Sequence, residues 1–199
     1  EDVVNRSAPA IEDVLALSPL QEGLFSLAEI AGDNLDLYTM QFIVEISGDV
    51  NTELLRRSVE VILERHPNLR VSFWDRDIPK PVQIVPTWVE LPWAERSATP
   101  EEFDSIAGSE RRRKFDLSQG PALRVVLVNM PDDRRRLLIT AHHILMDGWA
   151  VAIFFQEMLA VYEAGGDGRS LPLPRPYRDY IGWLAAQDDD SALASWVDH

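Results

Sequence analysis

Two apolar runs, residues 123–130 and 135–141, flank the turn-forming Pro131-Asp132-Asp133. Turn chemistry between two strand-length runs predicts an antiparallel hairpin. No other stretch constrains the fold as tightly, because the second run leads directly into a helix. Val151, Phe154, Phe155, Met158, Leu159 and Tyr162 recur at offsets of 3, 4, 7, 8 and 11, one face of a helix over 149–163. Between strand and helix stand His142-His143-Ile144-Leu145-Met146-Asp147-Gly148. The histidines are therefore expected at a strand end, and Asp147-Gly148 at a helix entrance. Adjacent strand residues point to opposite faces, so only one of the two histidines can easily face a given cavity.

The remaining segments interleave strands and helices without strict alternation. Residues 1–13 read as a tail or linker, and 14–199 as the folded unit. Ser18 is placed to cap a helix with Pro19 in its first turn and Gln21 three residues on, as in a capping box, so a short helix to about residue 28 is expected. Residues 38–46 alternate as a strand, and 49–65 carry the helical stripe Leu55, Val59, Ile62 and Leu63, stopped by Pro67. Short strands are expected over 69–74 and 81–85, a surface excursion over 86–100, and a helix over 100–114. Gly165-Gly166-Asp167-Gly168 break the chain, Leu171-Pro172-Leu173-Pro174 are extended, and a last helix spans 177–196, with a polar patch at 187–190 able to divide it. This pattern predicts an α/β fold: a mixed sheet with helices packed on it.

Composition narrows the function. With 199 residues, 46% of them hydrophobic, the chain can bury a real core as one domain or one large lobe. It has no cysteine, which excludes disulfides, thiolate metal sites and a cysteine nucleophile. It has no apolar run near 18 residues and no signal-peptide pattern at 1–6, in keeping with a cytoplasmic protein. A net charge of −14 disfavours nucleic acid and anionic membranes as partners. Arg111-Arg112-Arg113-Lys114 and Arg134-Arg135-Arg136 run against that balance, as a solvated helix face and a hairpin shoulder, or as a docking patch for an acidic partner.

A histidine with a pKa near about 6.5 can accept a proton from an amine or alcohol at neutral pH. Gly148 at a helix start allows close approach to a backbone N–H, where an oxyanion could be met. Asp147 can cap the helix or hold an arginine. On the residues alone, a satisfied core histidine and a plain helix cap remain open alternatives. A metal is disfavoured, because the adjacent histidines diverge and His66 and His199 form no cluster with them.

The 142–148 segment is similar to the HHxxxDG motif of the condensation domains of nonribosomal peptide synthetases. Ser18-Pro19-Leu20-Gln21-Glu22-Gly23-Leu24-Phe25 resembles that family's first motif, Arg65-His66-Pro67-Asn68-Leu69-Arg70-Val71-Ser72-Phe73 its second, and Tyr177-Arg178-Asp179-Tyr180-Ile181-Gly182-Trp183 its fourth. Residues 115–124 resemble the segment between the second and third motifs. The resemblance implies the N-terminal of two chloramphenicol-acetyltransferase-like lobes, the C-terminal lobe being absent. It implies amide-bond formation between aminoacyl or peptidyl thioesters carried on the phosphopantetheine arms of donor and acceptor carrier proteins, with no intrinsically bound cofactor and no metal.

In that picture His143 takes the proton from, or positions, the attacking amine. His142 supports structure, Asp147 is salt-bridged with Arg65 or Arg70 or an arginine of the missing lobe, Gly148 lines the channel, and Trp149 follows the motif. Trp149 and the opening motif look more like condensation than epimerisation. The fragment alone is expected to be inactive. The competing classes are a non-catalytic docking module that recruits a carrier or tailoring protein, and an HHxxxDG acyltransferase using coenzyme A.

Overall fold

The computed structural model describes residues 8–31, 36–131 and 133–187. Its larger sheet has four strands in the order β2 (Thr39–Ile46), β7 (Arg135–His142), β6 (Leu123–Asn129) and β5 (Trp93–Ser97). The predicted hairpin is β6–β7, antiparallel, with Val125 opposite Ile139. Alternation along these two strands loads both faces of the sheet. Leu123, Val125, Leu127, Leu137, Ile139 and Ala141 join the main core with the helices α2 (Thr52–Arg65) and α4 (Gly148–Glu163). Val126, Val128 and Leu138 join a second cluster with Phe103 and Ala107 of α3 (Pro100–Arg112). The sheet is thus covered on both sides, which is why β6 reads as a nearly unbroken apolar run.

The smaller sheet has the order β1 (Ile11–Ala16), β4 (Val82–Pro86), β3 (Ser72–Trp74), all antiparallel. Here the expected boundaries shift. Residues 11–13 lie in β1 and not in a linker, held by pairing to β4 and by Glu12, whose carboxylate accepts from Arg70 at 2.5 Å. Strand β3 begins only at Ser72, because Pro67–Leu69 form a 3-10 turn. The expected excursion at 86–100 contains β5, parallel to β6, with α3 as the crossover that a parallel pair needs. Its polar Glu95-Arg96-Ser97 end is exposed, so apolar periodicity gave no sign of it.

The helices begin where their caps stand. The helix α1 (Pro19–Ala31) carries the predicted capping box: the Gln21 N–H donates to the Ser18 hydroxyl at 3.3 Å and the Ser18 N–H to the Gln21 side chain at 3.0 Å. Asn51 caps α2 at the Leu54 N–H. Gly165 and Gly166, at φ of 69° and 89°, end α4 in a left-handed turn that few other residues adopt, the Gly166 N–H donating to the Val161 carbonyl at 2.8 Å. The helix α5 (Tyr177–Ala185) covers the first half of the expected 177–196 helix; residues 188–199 lie outside the described residues. The second arginine cluster is the shoulder of the hairpin: Arg136 donates to Glu45 across the sheet and stacks over Phe103. Among the described residues no helix is long and apolar enough to cross a membrane.

Candidate active site

Strand β7 aims the two histidines. Continuing its alternation past Ala141 sends His142 to one side and His143 to the other. His142 is fully buried. Its Nδ1 accepts the Ile144 N–H at 3.0 Å, so the neutral ring carries its proton on Nε2. That nitrogen lies 3.0 Å from Oδ2 of buried Asp36, close enough for charge attraction though off the axis of a well-formed hydrogen bond. Burial pushes the His142 pKa below the ordinary imidazole value, and the Asp36 carboxylate opposes this without overcoming it. His143 is half-buried, its N–H held by the Tyr38 carbonyl at 2.8 Å. It lines a cavity of about 580 Å³, together with Gln21, His66, Trp149, Tyr177 and Tyr180.

Asp147 is the N-cap of α4, accepting the Ala150 N–H at 2.8 Å. Neither expected arginine partner reaches it. Arg65 donates to Glu157 at 3.2 Å and to the Pro172 carbonyl at 2.6 Å. Arg70 is buried and donates to the carbonyls of Leu63, Glu64 and Pro86 and to Glu12. The reason is geometric: Arg65, at the end of α2, is satisfied on α4 and the 171–174 segment, and Arg70, after the 3-10 turn, by the end of α2, β4 and β1. Gly148 opens α4 with free space around it, since a Cβ there would meet nothing within 4 Å. Trp149, 84% exposed, stands at the cavity mouth.

Other residues in and behind the cavity wall gave no sign in the sequence that they meet. Gln21, read as a cap, also donates to Gln83 at 3.1 Å and to the Ile144 carbonyl at 3.2 Å. Tyr177 donates to Gln21 at 3.1 Å, and burial raises the pKa of that hydroxyl, so it stays a donor. This network ties α1, β4 and α5 to the histidine turn. Gln83, fully buried between Val82 and Ile84, was the available signal: a polar residue in an apolar strand. On the far wall His66 Nε2 contacts Glu157 at 2.7 Å. Burial alone would raise the Glu157 pKa, but His66 and Arg65 outweigh it and hold the carboxyl below its usual range. Asp36 carried no signal beyond its place in a polar loop.

Chemically, this is an open, largely apolar cavity lined by His66, which Glu157 contacts, and by the His143 imidazole, with the first amides of α4 beside it. The imidazole can exchange a proton, and the amides can meet negative charge.

The family model described as "Condensation domain" matches residues 11–196. Bacitracin synthase 1 of Bacillus licheniformis is 32% identical over 97% of the chain, and gramicidin S synthase 2 of Brevibacillus brevis is 30% identical over 95% of it. The chain spans only 4% of the length of each. Among solved structures, the condensation domain of the monacolin K polyketide synthase MokA superposes with a TM-score of 0.79 at 20% identity, over 94% of this chain and 43% of that one. The X-domain from teicoplanin biosynthesis gives 0.81 at 20% identity, over 97% and 44%. The fold expected from the sequence is therefore found, at less than half the length of these solved neighbours. On the family match and the synthetase relatives together, the chain belongs to the condensation-domain family.

Proposed function

We propose that the chain is the N-terminal lobe of an amide-forming condensation domain, and that His143 is its catalytic residue. The observation that carries the reading is the divergence of the two histidines: His142 locked in the interior, His143 on the wall of a 580 Å³ cavity. The substrates are two thioesters on the phosphopantetheine arms of donor and acceptor carrier proteins. The acceptor amine attacks the donor carbonyl. The C–N bond forms, the C–S bond breaks, and the donor thiol leaves with a proton. His143 accepts the amine proton or holds the amine in line. Delivering both arms to one point supplies much of the rate. His142 holds the turn, Asp147 fixes the start of α4, and Gly148 leaves room above the first amides. The second lobe closes the open side of the cavity, and the working compartment is the cytoplasm.

The test joins the lobe to a matching second lobe and supplies loaded carriers. His143→Ala should lower amide formation by at least about 100-fold, the usual contribution of a positioned acid or base. Turnover retained in that variant overturns the role. The 199-residue chain alone should form no amide. Carrier binding that is insensitive to His143, with no chemistry in the two-lobe protein, would instead support a docking module. Acyl transfer from free coenzyme A would support the third class.

A further inference from the structure

The turn that presents His143 is braced from one side by a single acid. Asp36 Oδ1 accepts the Tyr38 N–H at 2.9 Å. The Tyr38 carbonyl accepts the His143 N–H at 2.8 Å. The Ile144 N–H donates to His142 Nδ1 at 3.0 Å, and the opposite nitrogen of that ring lies 3.0 Å from Asp36 Oδ2. The amides of residues 143 and 144 are therefore each held by a partner that leads back to one carboxylate. Asp36 is 6% exposed and His142 0%, so water is poorly placed to substitute for either. We propose that Asp36 is a positioning residue for His143, acting through the His142 ring and the Tyr38 backbone; this deepens the amide-forming reading and rests on it.

The geometry asks for a carboxylate in particular. Asp36 Oδ1 accepts the Tyr38 N–H, and Oδ2 lies 3.0 Å from the protonated nitrogen of His142, within charge attraction though off a hydrogen-bond axis. Asparagine has the same size but one acceptor oxygen. With that oxygen on Tyr38, its NH₂ group would face the His142 N–H, donor against donor. The ring must then change tautomer or turn, and in either case the Ile144 amide loses its acceptor. Asp36→Asn thus removes an acceptor without removing bulk.

The test reads ring nitrogens in the full 199-residue chain labelled with ¹⁵N-histidine. In the unmodified protein at pH 7, His142 should be neutral with its proton on Nε2. Asp36→Asn should change that pattern and shift the His143 ring signals as well. A His142 that is charged or protonated on Nδ1 in the unmodified chain overturns the proposal, whether or not the variant folds. So do His143 signals that ignore Asp36→Asn. In the two-lobe protein, Asp36→Asn should lower kcat about 10- to 100-fold while KM for loaded carriers stays within about twofold, the pattern of a misplaced reacting group. An unchanged kcat overturns it. If the unmodified two-lobe protein forms no amide, the functional reading fails, and the ring nitrogens still decide on Asp36.

Discussion

His142 sits in the fold as a neutral imidazole walled off from water, and this ties stability to pH. Its pKa is lowered on folding, chiefly by burial. The unfolded chain therefore binds the proton more readily than the folded one. The stability that neutrality contributes is complete above the unfolded value of about 6.5 and is lost as pH falls toward the folded value. The slope for one such group reaches about 1.4 kcal/mol per pH unit. We expect Tm to fall between pH 7.5 and 5.5, and a His142→Gln variant to show a flatter dependence over that range. Equal slopes in the two proteins would contradict this. Glu157, whose folded pKa is also lowered, loses its contribution only at more acid pH, below the unfolded 4.5. His143 is packed differently, half-exposed and lining the cavity. His143→Ala should leave the unfolding free energy within about 0.5 kcal/mol of the original while removing activity. Denaturant titration of the lobe checks the first part. Equal stability costs at 142 and 143 would mean that both rings are structural.

At the scale of elements, caps and close approaches decide how the site is held. Asp147 contacts the first turn of α4, not an arginine, so its contribution is that of an N-cap. Asp147→Ala should destabilise the lobe by about 1 kcal/mol, and Asp147→Asn should recover most of it, because asparagine caps equally well. An ion-pair role would show the reverse, with Asn no better than Ala. Gly120 marks a different constraint. Its φ is +40°, and a Cβ there would lie 2.6 Å from the Val71 carbonyl oxygen, which is backbone and cannot swing aside. Gly120→Ala should cost at least about 2 kcal/mol, combining left-handed strain with a forced backbone shift. Chemical denaturation would measure it, and a neutral result would show that the 115–124 segment gives way. The capping box at Ser18 and Gln21 was legible from spacing alone, because a cap is a local contact between a side chain and an amide three residues away. Strand β5 was not: its register comes from lying beside β6, and nothing in Glu95-Arg96-Ser97 announces that neighbour.

For the whole molecule, residues 8–17 matter more than their sequence suggested. Strand β1 covers an edge of β4, and Glu12 completes the partners of the buried Arg70. A chain starting at Ser18 should lose both. We expect its Tm to fall by about 10 °C or more, taking a loss of several kcal/mol at about 2–4 °C each for a protein of this size, with a greater tendency to aggregate through the bared β4 edge. A chain starting at residue 8 keeps both and is the reference. Thermal melts of the two truncations decide the matter, and equal melts would return residues 11–13 to the status of a tail.

The amino-acid order by itself determined the hairpin, the helix after it, the capping box at Ser18 and the divergence of His142 from His143. Each follows from a period of two or 3.6 residues, or from a contact a few positions along the chain. The same order carried the family motifs, because they are contiguous. Only the tertiary structure decided which acid lies behind His142, which acceptors Arg65 and Arg70 reach, and that Gln21 at the cavity meets both Gln83 and Tyr177. Those are choices among several chemically equivalent partners. They are made by which elements pack side by side, and local spacing holds no record of that.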